Sequence, residues 1–349
     1  MAHERAIALR AAGRFALAER ACRRALTSYE AGEGRRHPDV ANALVELGVI
    51  LEARDRPREA AACHRRALAI LKRPSGDLDL VRLCLQAKAA LAGLDRARGS
   101  LERADRGYRE ALVEAQRRLP RRDPLVASLL NNLGVLRKAQ GRYPEALAYY
   151  RRALPLVARG DRQALATLHH NLGGIEHARG RYTRAEPHAR RSVALRSAVL
   201  GPGHPAVAAD MAALAAIVEA RGRFDEAATL YKKALAVFRR KLGAGSLELG
   251  LGLASLAALE QQRGRLSRAR SLYGRALAIL ESLLGKDHPD VAMTVNNLAV
   301  LERDDGRAAR ANTLFRRALE TFQRMLGAHP PHTSLARDNL RAVDQTPGR

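Results

Sequence analysis

A Gly-Arg dipeptide returns along this chain at a nearly constant interval, and that interval limits the fold more than any other feature. It stands at Gly141, Gly180, Gly222, Gly264 and Gly306, each followed by Arg. Earlier copies fall at Gly13-Arg14, Asp55-Arg56 and Gly99-Ser100, so the steps are 42, 44, 42, 39, 42, 42 and 42 residues. A fixed period of this size is the signature of a structural repeat in which each unit buries its apolar face against its neighbours.

The stretch from Asp123 to Leu154 shows what the unit is. Val126, Leu129, Leu130, Leu133 and Leu136 recur at helical spacing, and so do Ala146, Leu147, Tyr150, Ala153 and Leu154 after Gly141. Pro144 suits the first turn of the second helix, and Gly141 suits the left-handed residue that ends the first. Three small-residue registers run through all copies. Seven before the turn stand Ala6, Gly48, Ala92, Gly134, Gly173, Ala215, Ala257 and Ala299. Five after it stand Ala18, Ala60, Ala104, Ala146, Ala185, Ala227, Ala269 and Ala311. Twelve after it stand Ala25, Ala67, Ala111, Ala153, Ser192, Ala234, Ala276 and Ala318. Such sites are where helices must approach closely. Between them Tyr108, Tyr150, Tyr231, Tyr273 and Phe315 fill the remaining space.

These residues resemble the tetratricopeptide repeat, in the 42-residue form of kinesin light chains and many bacterial relatives. The close copy is Leu284-Gly285-Lys286-Asp287-His288-Pro289-Asp290-Val291-Ala292, followed by Asn296-Asn297-Leu298-Ala299 and by Ala318-Leu319. The resemblance implies an all-α superhelical solenoid of antiparallel helix pairs. It also implies a non-enzymatic scaffold that binds an extended peptide or partner protein in its concave groove. The organisation expected is an incomplete N-terminal repeat over 1–30, tandem repeats over 37–326 in seven copies, and a closing helix over 332–344.

Irregular copies carry their own expectations. His37-Pro38, His204-Pro205, His288-Pro289 and His329-Pro330 read as helix starts. In repeat five the connection Arg159-Gly160-Asp161 is three residues short, Asp161 reads as an N-cap, and Pro187 predicts a kink. In repeat seven, Ser246-Leu247-Glu248 with Gly250 and Gly252 predicts a first helix that starts late or frays.

In the family, the first helices line the groove, and an Asn two before the small site often bonds the backbone of a bound peptide. Residue by residue this gives Asn132, Asn171 and Asn297, with Asn131, His170 and Asn296 preceding them. Lys138, His177 and Arg303, further along the same faces, would favour an acidic partner. A primary amide both donates and accepts, so it can hold a peptide unit with little demand on side-chain sequence. Neighbouring repeats are expected to space these amides ~10 Å apart. Repeats six and seven carry Ala213 and Ser255 at the Asn register, with Ala212 and Ala254 beside them, so the polar patch centres on repeats four and five.

Composition narrows the alternatives. No apolar run reaches the ~20 residues of a membrane helix, and no basic-then-apolar leader opens the chain, so no membrane association and a cytoplasmic location are expected. Cys22, Cys63 and Cys84 have no metal-type spacing and read as small buried residues. His170 and His177 lie seven apart on one helix, too far for joint metal ligation. Phosphate-binding, zinc-protease and nucleophile-elbow motifs are lacking; neither cofactor nor metal nor catalytic residue is expected.

The net charge is +25, with only seven Lys among 61 basic residues, which fits a GC-rich genome and a solvated outer face. The alternative is a basic α-solenoid binding nucleic acid or an acidic partner through Arg. Few aromatics and no Trp leave little for base stacking.

Overall fold

The computed structural model of the chain describes residues 2–72, 76–326 and 331–344. His329, read above as part of a helix start, lies outside them. The helices pair in order: α1 (Ala2–Ala11) with α2 (Phe15–Gly32), α3 (Pro38–Ala53) with α4 (Pro57–Ile70), α5 (Leu78–Ala97) with α6 (Leu101–Arg118), and α7 (Pro124–Ala139) with α8 (Tyr143–Ala153). Then follow α9 (Arg162–Ala178) and α10 (Tyr182–Leu200), and the pairs α11 (Pro205–Ala220) with α12 (Phe224–Leu242), α13 (Leu247–Gln262) with α14 (Leu266–Leu284), and α15 (Pro289–Asp304) with α16 (Ala308–Leu326). The last helix, α17 (Pro331–Asp344), packs on α16. No strand occurs among the described residues. The chain divides into two compact units, Met1–Asn171 and Leu172–Arg349, with the division falling inside α9.

The turns form for the reason the sequence suggests. Gly13, Gly99, Gly141, Gly180, Gly222, Gly264 and Gly306 all have φ between 68° and 78°, the left-handed region that a Cβ disfavours. Asp55 occupies the same place at φ 56°, one of the few side-chain types that tolerate it. The small-residue registers are the contact surfaces of the pairs. All eight alanines five after the turn are fully buried, and Ala6, Ala92, Ala215, Ala257 and Ala299 are at most 3 % exposed. The aromatic filler sits against the small site. A Cβ added to Gly134 would lie 2.4 Å from the Tyr150 ring. The same register holds His64 against Gly48, where a Cβ would again fall within 2.4 Å of the ring. Ala189 fills it in repeat five, and there a Cβ added to Gly173 would lie 3.2 Å from the Ala189 backbone nitrogen.

Each His-Pro joint within the described residues caps a helix. Nδ1 of His37, His204 and His288 accepts the N–H of Asp39, Ala206 and Asp290 at 3.3, 3.1 and 3.2 Å. Asp161 does the same for Ala164 at 2.9 Å.

Two sequence expectations need attention. Helix α13 neither starts late nor frays: it begins at Leu247 and runs 16 residues, as long as α11 and α15. Its glycines are packing sites, since a Cβ on Gly250 would meet Leu280 at 3.0 Å and one on Gly252 would meet Leu235 at 2.8 Å. Close approach outweighs the local cost of glycine in a helix. At Pro187, α10 continues as one 19-residue helix.

Ser192, the one non-alanine in its register, is buried with a partner set of its own. Its hydroxyl donates to Asp210 Oδ2 at 2.6 Å, and Arg196 Nε donates to the same oxygen at 2.7 Å. All three side chains are buried.

Candidate functional site

Helix α7 turns its apolar residues inward and leaves Ser128, Asn131, Asn132, Val135 and Lys138 partly or fully exposed, a stripe at helical spacing. On α9 the corresponding stripe within the first unit is Thr167, His170 and Asn171, all half-buried. Between the two stripes lies a cavity of about 350 Å³. Its walls are Pro124, Ala127, Ser128 and Asn131 from α7, Val157, Ala158 and Asp161 from the connection, and Ala164, Thr167 and Leu168 from α9.

The cavity has a local cause in the sequence. Pro155 has no N–H to give to a carbonyl one turn back, so α8 ends at Ala153 after 11 residues although Leu154 itself keeps helical dihedrals, φ −55° and ψ −47°. A 3-10 turn over Leu154–Leu156 follows, then Val157 in extended conformation at φ −78°, ψ 129°. The other second helices run 14 to 19 residues. Here the non-helical segment forms one wall. Sequence reasoning noticed the short connection and missed the proline that shapes it.

The amides are arranged differently from expectation. Asn171 Nδ2 donates to Asn131 Oδ1 at 2.7 Å, so these two are in direct contact and not ~10 Å apart. Side chains leaning from neighbouring first helices close the gap between the axes. The pair keeps free donors on Asn131 and an acceptor on Asn171, and it lies at the cavity edge. Asn132 is half-buried and bonds no side chain among the described residues. Lys138, at the exposed end of α7, has no carboxylate partner there.

The remaining candidates are elsewhere. His177 lies in the second unit, with its ring 5.5 Å from that of Tyr182. Asn296 is 2 % exposed and accepts from Asn339 Nδ2 at 3.3 Å, so it joins α15 to α17 and faces no groove. Asn297 is half-buried, and Arg303 pairs with Asp304 at 3.1 Å.

Other polar centres were not singled out from the sequence. Arg137 is fully buried between Asp105 at 2.7 Å, Gln140 at 2.6 Å and Glu145 at 3.2 Å. Glu219 on α11 accepts from Gln262 Nε2 at 2.8 Å and from the Tyr231 hydroxyl at 3.2 Å, and burial raises its pKa. Glu186 faces Arg190, Arg221 and Arg223; burial opposes its charge, yet the three guanidiniums bring its pKa down to about 2. The only advance signal was register, since Glu19 and Glu186 both stand six after a turn glycine and both meet arginines flanking the next turn. Cys22 and Cys84 are buried and Cys63 half-buried; burial pushes the Cys22 thiol up to about 12. Among the described residues no cluster of His, Cys, Asp and Glu is placed to hold a metal ion, and no helix is long and apolar enough to cross a membrane.

Comparison with known proteins places these observations. Among solved structures, the sensor-bearing signal-transduction ATPase PH0952 of Pyrococcus horikoshii superposes at a TM-score of 0.58 with 14 % identity, over 95 % of this chain and 48 % of that one. PilF of Pseudomonas aeruginosa gives 0.50 and 22 %, over 72 % and 94 %. A putative kinesin light chain from Podosopora anserina gives 0.48 and 21 %, over 58 % and 98 %. No curated protein matches the sequence. The family model for the tetratricopeptide repeat matches residues 1–73, 84–158, 164–240 and 251–324. With the registers, turns and paired helices described above, the chain belongs to the tetratricopeptide repeat family, whose repeats mediate protein–protein interaction.

Proposed function

We propose that this protein is a non-enzymatic interaction scaffold that holds an extended peptide against α7 and α9. The observation that carries this reading is the cavity of about 350 Å³ beside half-buried, incompletely bonded amides. The peptide backbone exchanges hydrogen bonds with Asn132 and with the free groups of the Asn131–Asn171 pair. An apolar side chain enters the cavity against Ala127, Val157 and Leu168. Its volume is at the small end of the range for ligand pockets. Lys138 and His170 favour an acidic residue flanking the bound segment.

The test starts from a peptide selected on the full chain from a random library, with affinity measured by calorimetry. Asn132→Ala with Asn171→Ala is expected to weaken binding more than tenfold, as two lost hydrogen bonds at ~1 kcal/mol each imply. Ser128→Phe, which fills the cavity mouth, is expected to abolish it while circular dichroism stays unchanged. Normal binding by both variants would refute the groove assignment.

A further inference from the structure

The arginines of the first unit fall into two sets, divided by edge. Because the helices are antiparallel, the turns inside each pair lie on one edge of a unit and the joints between pairs lie on the other. On the intra-pair edge several cations are neutralised, while Arg14, Arg98 and Lys138 meet no carboxylate among the described residues. Arg54 and Arg56 meet Glu19, Arg103 meets Asp95, and Arg137 and Arg142 meet Glu145. On the joint edge Arg66 meets Glu30 and Arg82 meets Asp79 and Asp123, but six further cations meet no carboxylate among the described residues. Arg35 and Arg36 precede α3, Lys72 follows α4, Arg121 and Arg122 precede α7, and Arg159 precedes α9. All six are exposed, and none makes an ion pair or side-chain hydrogen bond among the described residues.

Genome composition does not produce this pattern. The joints of the second unit, residues 201–204, 243–246 and 285–288, contain one cation, Lys286, and it sits next to Asp287. The joints at 33–37, 71–77 and 119–123 each hold two cations against one Glu or Asp, so the same gene writes a surplus of cations into three joints of one unit and neutral joints in the other. Arg35, Arg36 and Lys72 also line a cleft of about 710 Å³ together with Glu30, Arg66 and Ile70.

We infer that the joint edge of the first unit binds the phosphate backbone of a nucleic-acid duplex without reading its sequence. Neighbouring repeats pack 8–10 Å apart, so four joints, two with a pair of free cations and two with one, set charge along roughly 30 Å. A duplex carries one charge per ~1.7 Å of axis, so a row of that length always finds phosphates to meet. Guanidiniums in pairs suit bidentate phosphate contacts. The joints before α5 and α7 keep their apolar residues Leu71 and Leu119 buried, so an acidic protein finds little to dock on there; the apolar wall at Val157 belongs to the cavity described above. They also lack Phe, Tyr and Trp, the rings on which bases stack best. Charge is what they present, and a phosphate backbone asks for little else.

The test uses the full chain and a fluorescein-labelled 20-base-pair DNA duplex of mixed sequence, followed by anisotropy between 50 and 200 mM salt. The variant Arg35→Gln, Arg36→Gln, Arg121→Gln, Arg122→Gln is compared with Lys232→Gln, Lys233→Gln, Arg239→Gln, Arg240→Gln, which loses equal charge from the exposed surface of α12. The joint variant is expected to bind at least tenfold more weakly, with the slope of log affinity against log salt reduced by about 3 to 4. The α12 variant is expected to change affinity less than threefold. Equal losses in the two variants, or none in the first, would overturn the inference. So would competition by polyglutamate as effective as that of unlabelled duplex at equal charge, which would make the edge an acidic-polypeptide surface. On the unmutated chain, bound duplex is expected to protect Arg35, Arg36, Arg121 and Arg122 from phenylglyoxal more than Arg239 and Arg240. Absence of that protection contradicts the proposal whatever the variants do.

Discussion

Helices α7 and α11 do the same structural work with opposite outer faces. Both bury their small site, Gly134 or Ala215, against the second helix of the pair. On the unburied stripe, α7 carries Ser128, Asn131, Asn132, Val135 and Lys138, whereas α11 carries Ala209, Ala212, Ala213, Ala216 and Glu219 in the same register. Helix α13 resembles α11, with Leu251 40 % exposed and Ala254 and Ala258 half-buried. The difference teaches that the repeat is specified from one side of each helix. Inward positions accept only the volume their neighbour leaves, while outward positions vary between amide and methyl without disturbing the period.

That division can be attacked from the inside first. Asp210→Ala leaves the buried Arg196 guanidinium without its carboxylate, and a loss of about 3–5 kcal/mol is expected in urea denaturation. A loss under ~1 kcal/mol would show that this cluster is not part of the inward specification. Next come Gly134→Ala and Gly252→Ala, which drive a methyl into Tyr150 and into Leu235. Each is expected to cost about 1–3 kcal/mol, alike in both units; a silent change in one would mean its lattice is looser.

Acid probes the shared ionic wiring more gently. In Glu19, burial opposes ionisation but Arg54 and Arg56 outweigh it, lowering the pKa as at Glu186. A depressed carboxylate stabilises the fold above its unfolded value of ~4.3 and loses that contribution as pH falls toward the folded value. Stability should therefore decline from about pH 5 toward pH 2, and Glu186→Gln should flatten part of that decline. An unaltered pH profile in the variant would exclude Glu186 as a source. The smallest effect is expected outside: Ala213→Asn, which copies the amide register of α7 onto α11, should move the denaturation midpoint by less than ~0.5 kcal/mol. A larger loss would mean that the alanine stripe is itself packed.

What could be read in the sequence follows the same division. The small registers, the left-handed glycines and the histidine caps are local or periodic, so each copy corroborates the next. Gly250 and Gly252 were misread as helix-weakening because propensity counts a residue's own backbone and is blind to Leu235 and Leu280 arriving from other helices. The Asn131–Asn171 contact depends on how far two side chains lean across neighbouring helices, which spacing along the chain does not encode. Asn296 carries the same residue type in the same register and is sealed by Asn339, a partner from outside the repeat pattern. The cavity needed Pro155 to be weighed against the helix it interrupts.

Pro155 has one further consequence. In a repeat array each copy touches only its neighbours, so shortening α8 is a private event that the next turn, at Gly180, no longer registers. The segment Leu154 to Asp161 thus behaves as a transferable cassette. Moved into the joint between α12 and α13, in place of the end of α12 and its connection, it would be expected to carve a comparable recess there and leave the remaining pairs in step.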